Sequence, residues 1–264
     1  MKKTALNEFS TRELREMLAA GKIDSAIAVF GSCESHGDHM PLGPDLFVPE
    51  AVARRAAERL EKTIVLPGIP FGTSLHYNAF PLAISLRFET TQAVAEDILE
   101  SLITSGIKHI LIFNGHDGNI PALEIAGRKV KNRHPEAVIL FLPAWWNLLD
   151  ARLPGLFEVW QGLGHGGEGE TSITMAVKPD LVDISFAKRQ MPEDLLKMGL
   201  DGNTLWDIAE VSATGATGDP TKATTAKGEK MLDALVDIVV GMIRAMERNT
   251  WAYDCRKEPR DVAE

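Results

Sequence analysis

Gly31-Ser32-Cys33-Glu34-Ser35-His36-Gly37-Asp38-His39-Met40-Pro41-Leu42-Gly43-Pro44-Asp45 is the stretch around which the rest of the chain is organised. Directly before it, Ala26-Ile27-Ala28-Val29-Phe30 is an unbroken apolar run of the length of a buried strand. Glu34 and His36 are two residues apart, so an extended backbone points both side chains the same way. The glycines and prolines that follow let the chain turn and bring Asp45 back. Two carboxylates and an imidazole converging at a strand end are what a divalent metal site needs. Acidic residues and histidines are also common in surface loops that bind nothing, so this spacing alone decides little. Cys33 takes the odd place in the alternation and points to the opposite face, where packing is its expected role. The competing reading is a thiol nucleophile acting with His36, which predicts inactivation by alkylation and indifference to chelators.

Working outward, strands and helices alternate. Ser10-Thr11-Arg12-Glu13 is a capping box that opens a helix running to Ala20. After the key stretch, Pro49 opens a helix over Glu50 to Lys62, and Thr63 to Leu66 is a strand. A helix from Thr91 to Ser105, a strand from Lys108 to Phe113, a helix from Pro121 to Arg133 and a strand from Ala137 to Leu142 follow. The alternation predicts an α/β fold, a mostly parallel sheet with helices on both faces, spanning residues 1–264 as one domain. The helix from Lys227 to Arg248 carries an apolar stripe that suits either the core or a subunit interface.

Three strand-end segments carry further chemistry. Thr73 to Pro81 is polar, aromatic and broken by proline. It offers Ser74 and His76 as substrate contacts, with a structural role the alternative for His76. Asn114-Gly115-His116-Asp117-Gly118-Asn119 follows the third strand directly, and Trp145-Trp146 follows the fourth, either tryptophan being core or pocket wall. Gly162 to Ser172 is glycine-rich and carries His165, Glu168 and Glu170. A phosphate loop is disfavoured there, because no Gly-Lys-Ser/Thr follows and two carboxylates repel phosphate.

The net charge of −9 argues against a nucleic-acid or anionic-membrane partner. No apolar run is long enough to cross a bilayer. Two cysteines make no disulfide framework, and the N-terminal residues lack the apolar region of a signal peptide. The expected compartment is the cytoplasm and the expected partner a small-molecule substrate.

Taken together, Gly31-Ser32-x-Glu34-x-His36-Gly37-x-His39-x-Pro41-Leu42-Gly43-x-Asp45, Asn114-Gly115-His116-x-x-Asn119 and His165-Gly166-Gly167-x-x-Glu170-Thr171-Ser172 resemble the creatininase family, as does the later Gly218-Asp219-Pro220. The resemblance covers nearly the whole chain. It implies a three-layer α/β/α fold, two divalent ions (Zn, Mn or Fe), hydrolysis of a C–N bond in an often cyclic amide by water, and a homo-oligomer, commonly a hexamer. By motif it assigns Glu34 and His116 to one metal and His36 to the other, with Asp45 bridging. It places His165 and Glu170 among the catalytic residues and Trp146 against substrate.

The chain also departs from creatininase itself. That enzyme has Asn-Gly-His-Tyr-Glu-Asn, whose glutamate ligates the second metal, where this chain has Gly118. The resemblance to other branches makes Glu168 the first candidate replacement and Asp117 the second; Asp117 is also a candidate substrate contact. Gln161-Gly162 stands for a Trp-Asp pair that meets substrate, and Leu82-Ala83 for a common Gly-Thr. Creatinine is therefore not the expected substrate. The same site used for deformylation, peptide trimming or opening of a diketo-cyclitol ring stays open, as does a non-catalytic metal-binding protein.

Overall fold

Strand β1 (Ser25–Phe30) is buried along its whole length, and its side chains divide by parity. Ala26, Ala28 and Phe30 enter one apolar cluster; Ile27 and Val29 enter the other. This is the period of two that a strand imposes, and it requires a covered layer on each face. The computed structural model describes residues 2–159, 164–192 and 205–253. It sets β1 between β2 (Thr63–Val65) and β3 (His109–Asn114), with β4 (Val138–Leu142) beyond β3. All three pairings are parallel.

Helices α1 (Thr11–Ala19), α3 (Phe88–Thr104) and α4 (Ile120–Arg133) cover the Ala26/Phe30 face. Helices α2 (Pro44–Arg59), α5 (Trp146–Arg152) and α6 (Glu168–Val177) cover the Ile27 face. Two helices follow later in the chain, the short α7 (Ile208–Val211) and the long α8 (Thr225–Arg248). Met231, Leu232, Leu235, Val239 and Ile243 of α8 are buried in the same cluster as α2, so its stripe is core. The architecture is the three-layer α/β/α expected from the alternation.

Most element bounds agree with the sequence reading to within a few residues, and the capping box is formed. The Ser10 Oγ accepts from the Glu13 amide at 3.3 Å, and Glu13 Oε2 accepts from the Ser10 amide at 2.7 Å. Two differences bear on the site. Helix α2 begins at Pro44 rather than after Pro49, so Asp45 lies in a helical first turn, where an anion is favoured. Pro49 sits inside the helix and has no N–H for the Asp45 carbonyl. The backbone of Gly115 packs against that freed carbonyl: a Cβ on Gly115 would lie 1.9 Å from it. The second difference is α5, a helix of 7 residues beginning at Trp146, for which the sequence reading names no element.

From β1 the chain passes through α2 to β2 on one side, then through α3 to β3 on the other. The loops leaving the carboxyl ends of β1 and β3 therefore diverge. The crevice between them is the switch point where open α/β sheets hold ligands.

Candidate functional site

The loop after β1 supplies Glu34 and His36, the first turn of α2 supplies Asp45, and the loop after β3 supplies His116. All four are buried. The His36 Nε2 lies 3.1 Å from Asp45 Oδ1 and 3.7 Å from Glu170 Oε1. The His116 Nδ1 lies 3.1 Å from both Glu34 Oε1 and Asp45 Oδ2. One carboxylate, Asp45, thus stands between two imidazoles.

Backbone carbonyls decide which nitrogen of each ring carries hydrogen. His36 Nδ1 donates to the Glu34 carbonyl at 3.1 Å, and His116 Nε2 donates to the Thr73 carbonyl at 2.9 Å. A carbonyl only accepts, so in each neutral ring the lone pair is the nitrogen facing the carboxylates. Lone pair against carboxylate is repulsive unless a positive charge sits between them. Glu34 Oε1 and Asp45 Oδ2 are buried with no hydrogen-bond partner, the same deficit seen from the acid side. Protons can supply the charge. Burial opposes the imidazolium of His36, but Asp45 and Glu170 outweigh it and raise its pKa well above the ordinary value. His116 behaves likewise, burial being overcome by Glu34 and Asp45. Divalent cations can supply it equally, and the donors fit. Glu34, Asp45 and His116 form one group, and His36, Asp45 and Glu170 another, each with ligand atoms within 4.8 Å of one another.

Outer contacts hold this arrangement. Ser32 Oγ donates to Glu34 Oε2 at 2.8 Å and touches Ser74 Oγ at 2.5 Å, and Ser74 Oγ lies 3.3 Å from His116 Nε2. Asn119 bridges loops, its Nδ2 donating to Gly31 O at 3.0 Å and its Oδ1 accepting from Thr73 N at 2.7 Å. Gly118 lies in the tightest spot. A Cβ there would stand 2.1 Å from Thr73 O and 2.6 Å from His116 Nε2, in the bond that orients the ring. Gly118→Ala is expected to destabilise the fold by about 2–3 kcal/mol and to weaken metal binding about 10- to 100-fold. Thermal unfolding and metal titration check both.

His165 and Glu170 face the cluster from the far side. The His165 backbone is clamped by Thr217, whose Oγ1 accepts from His165 N at 3.1 Å and whose amide donates to His165 O at 2.6 Å. Its Nε2 donates to the Ser35 carbonyl at 2.7 Å, which leaves Nδ1 as the lone pair, 3.9 Å from Glu170 Oε2. Although its Nε2 is 4.0 Å from Glu34 Oε1, that nitrogen is already committed to Ser35. Burial and then the charge of His36 lower the His165 pKa, so the ring is a neutral base near neutral pH. The Glu170 Oε2 accepts from the Gly166 amide at 2.6 Å.

A cavity of about 260 Å³ opens over these groups. His76, Asp117, Trp146 and His165 line it, with Tyr77 and Trp206 completing an aromatic wall. A larger cleft of about 600 Å³ lies at the amino ends of the strands, beside Lys62, His109 and Trp251, and holds none of the clustered groups. Trp145 is fully buried in the core, whereas Trp146 meets the cavity.

Two sequence expectations are corrected. Ser74 is not among the cavity-lining residues; it is fully buried behind the cluster, bonded to Ser32 and His116. Glu168 does not reach the cluster. Its carboxylate accepts from the amides of Glu158 at 2.9 Å and Val159 at 3.0 Å and from Lys227 Nζ at 2.6 Å. Residues two apart on a helix lie about 200° apart around its axis, so α6 cannot aim Glu168 and Glu170 at one point. Asp117 is exposed on the cavity rim and joins neither group. Cys33 bridges to Ile84 and is absent from the cavity wall; burial, then Glu34, raises its thiol pKa, which disfavours a thiolate nucleophile. Gln161, Gly162 and Cys255 lie outside the described residues. Tyr77, Trp206, Ile208 and Thr217 were missed as site residues. Tyr77 lies in a strand-end segment already singled out, which is a signal that would have found it.

The sequence model described as "Creatinine amidohydrolase" matches residues 7–243. The creatinine amidohydrolase of Pseudomonas putida is 27% identical over 92% of this chain and 97% of its own length. A mycofactocin precursor peptide peptidase of Mycobacterium tuberculosis is 29% identical over 81% of this chain and 82% of its own. A 3-dehydro-scyllo-inosose hydrolase of Thermotoga maritima is 25% identical over 90% and 82%. Among solved structures, a creatininase described with Mn superposes with a TM-score of 0.80 at 26% identity, covering 92% of this chain and 98% of that one. A mutant creatininase of Zn–Zn type gives 0.79 at 27% identity, covering 93% and 98%.

Proposed function

The chain belongs to the creatininase family of hydrolases, and from that premise we propose that it is a binuclear metal-dependent amidohydrolase cleaving the C–N bond of a small, cyclic amide. The observation that carries this is the pair of buried imidazole lone pairs aimed at three carboxylates on the floor of a small cavity. Glu34, His116 and Asp45 would hold one ion, and His36, Asp45 and Glu170 the other. Zinc, manganese or iron suits these mixed oxygen and nitrogen donors. When bound, the ions acidify water and polarise a carbonyl. His165 Nδ1 takes the proton released as water attacks and returns it to the leaving nitrogen, which otherwise departs poorly as an anion. Trp146 and Trp206 flank a flat substrate, and Asp117 offers a carboxylate at the rim.

Gly118 supports a second reading, because other branches of the family carry glycine there. On that reading the same site trims a peptide or opens a diketo-cyclitol ring, as the activities named for two relatives suggest. A cavity of about 260 Å³ favours the small molecule. The family also supports a homo-oligomer, hexameric by resemblance. Among the described residues no helix is long and apolar enough to cross a membrane; the proposed location is the cytoplasm.

The test is hydrolysis of a panel of cyclic amides, formamides and short peptides by protein of measured metal content. Cleavage confined to peptides overturns the small-amide reading. His165→Asn is expected to lower kcat about 10²- to 10⁴-fold with metal content unchanged. Because the His165 pKa lies below its ordinary 6.5, its base form persists into mild acid. Activity is then lost as pH falls through that lowered value, and a pH–rate profile places the acid limb below about 6.5.

A further inference from the structure

Tyr77 is a cavity-wall side chain with a polar group for which neither the metal groups nor the proton relay has a use. It lies in a tight turn, Leu75–Tyr77, held on both sides: its amide donates to Ser74 O at 2.9 Å and its carbonyl accepts from Phe80 N at 2.9 Å. The same turn positions His116 through Thr73 O and Ser74 Oγ. The phenol ring is 3% exposed and sits among three imidazoles. Its centroid is 4.6 Å from that of His76, 4.7 Å from that of His165 and 6.4 Å from that of His116. Tyr77 therefore touches the proposed base on one side and approaches a proposed metal ligand on the other.

A ring so buried ordinarily finds a partner for its hydroxyl. This one has none among the described residues, yet its hydroxyl is not among the sealed, unpartnered buried atoms, and the residue lines the cavity. A neutral phenol is a donor at working pH. The charge that develops in amide hydrolysis is negative and forms on the carbonyl oxygen.

We propose that the Tyr77 hydroxyl is a catalytic hydrogen-bond donor to the scissile carbonyl oxygen. The inference rests on the hydrolase reading above. As the oxygen of water bonds to the carbonyl carbon, the π pair moves onto the carbonyl oxygen, which accepts from the phenol. The phenol keeps its proton. When the pair returns, the C–N bond breaks and the nitrogen takes its proton from the His165 imidazolium. The water's own proton had gone to His165, so the cycle closes without a further reactant.

Tyr77→Phe separates this role from packing, since the ring stays and only the hydroxyl leaves. Creatinine, hydantoin and dihydrouracil are the probe substrates, with manganese-loaded wild type beside the variant. On whichever probe the wild type turns over, kcat is expected to fall about 10- to 100-fold. KM should stay within about twofold, with unfolding temperature and metal content unchanged. An unchanged kcat, or a change in KM alone, overturns the proposal. If the wild type cleaves none of the three, the small-amide reading is what has failed, and binding decides the role of Tyr77. Methylphosphonate, a tetrahedral anion, is then titrated calorimetrically into both manganese-loaded proteins. Binding about tenfold weaker in Tyr77→Phe supports the donor, and equal binding, or none to either protein, overturns it.

Discussion

Asp45→Ala is expected to empty both proposed metal positions and abolish turnover together. Its two oxygens lie 3.1 Å from His36 Nε2 and from His116 Nδ1, so one side chain belongs to both of the groups proposed to hold an ion. Its loss leaves each group with two donors, too few to hold a catalytic ion. Elemental analysis should show metal content falling from about two per chain toward zero. The rate should fall by at least about a thousandfold. The metal-free protein changes too. Burial opposes the Asp45 carboxylate, but His36 and His116 outweigh it and hold its pKa far below the ordinary carboxylate value. Removing it strands two buried imidazoles beside the remaining acids, at a cost of about 3 kcal/mol. Asp45→Asn keeps the volume and separates charge from packing. Retained activity in the alanine variant would sink the metal scheme.

Glu170→Gln and Glu168→Gln form the second decisive pair, and they are expected to differ. Glu170 Oε1 lies 3.7 Å from His36 Nε2. Replacing it should lower metal content from about two to about one per chain and reduce kcat by at least about a hundredfold. Glu168 lies on the other side of α6, fastening the 158–159 backbone to Lys227 of α8. Its replacement should leave metal content unchanged and cost about 1–3 kcal/mol of stability, because the buried amides and ammonium lose a charged acceptor. Elemental analysis and thermal unfolding on both variants read the two outcomes side by side. Metal loss in Glu168→Gln with full content in Glu170→Gln would reverse the assignment.

Much of the site was legible because its donors are spaced by local backbone geometry. Glu34 and His36 alternate in an extended segment, and His116 follows a strand within two residues of its end. The Glu168 expectation failed at the same level of description. A glycine-rich approach to a helix hides where the helix begins, and one residue of shift turns a side chain by about 100°. Helix α6 begins at Glu168, and that start sends Glu168 to Lys227 and Glu170 to His36. Gly118 is also explained only in three dimensions, since the Thr73 carbonyl that forbids a side chain there is 45 residues away.

From the sequence alone came the alternation of strands and helices, the parallel sheet it requires, and the clustered carboxylates and imidazoles of a candidate metal site. Those properties are set by hydrophobic period, chain connectivity and motif spacing, all of them local. The tertiary structure decided the rest. It made Asp45 central by starting α2 at Pro44 and turned the lone pairs of His36 and His116 inward through the Glu34 and Thr73 carbonyls. It also brought Tyr77 and Trp206 to a cavity that neither segment encodes by itself. A ligand's position depends on where a helix begins, and a donor's direction on which carbonyl takes its hydrogen. Only the packed fold determines either.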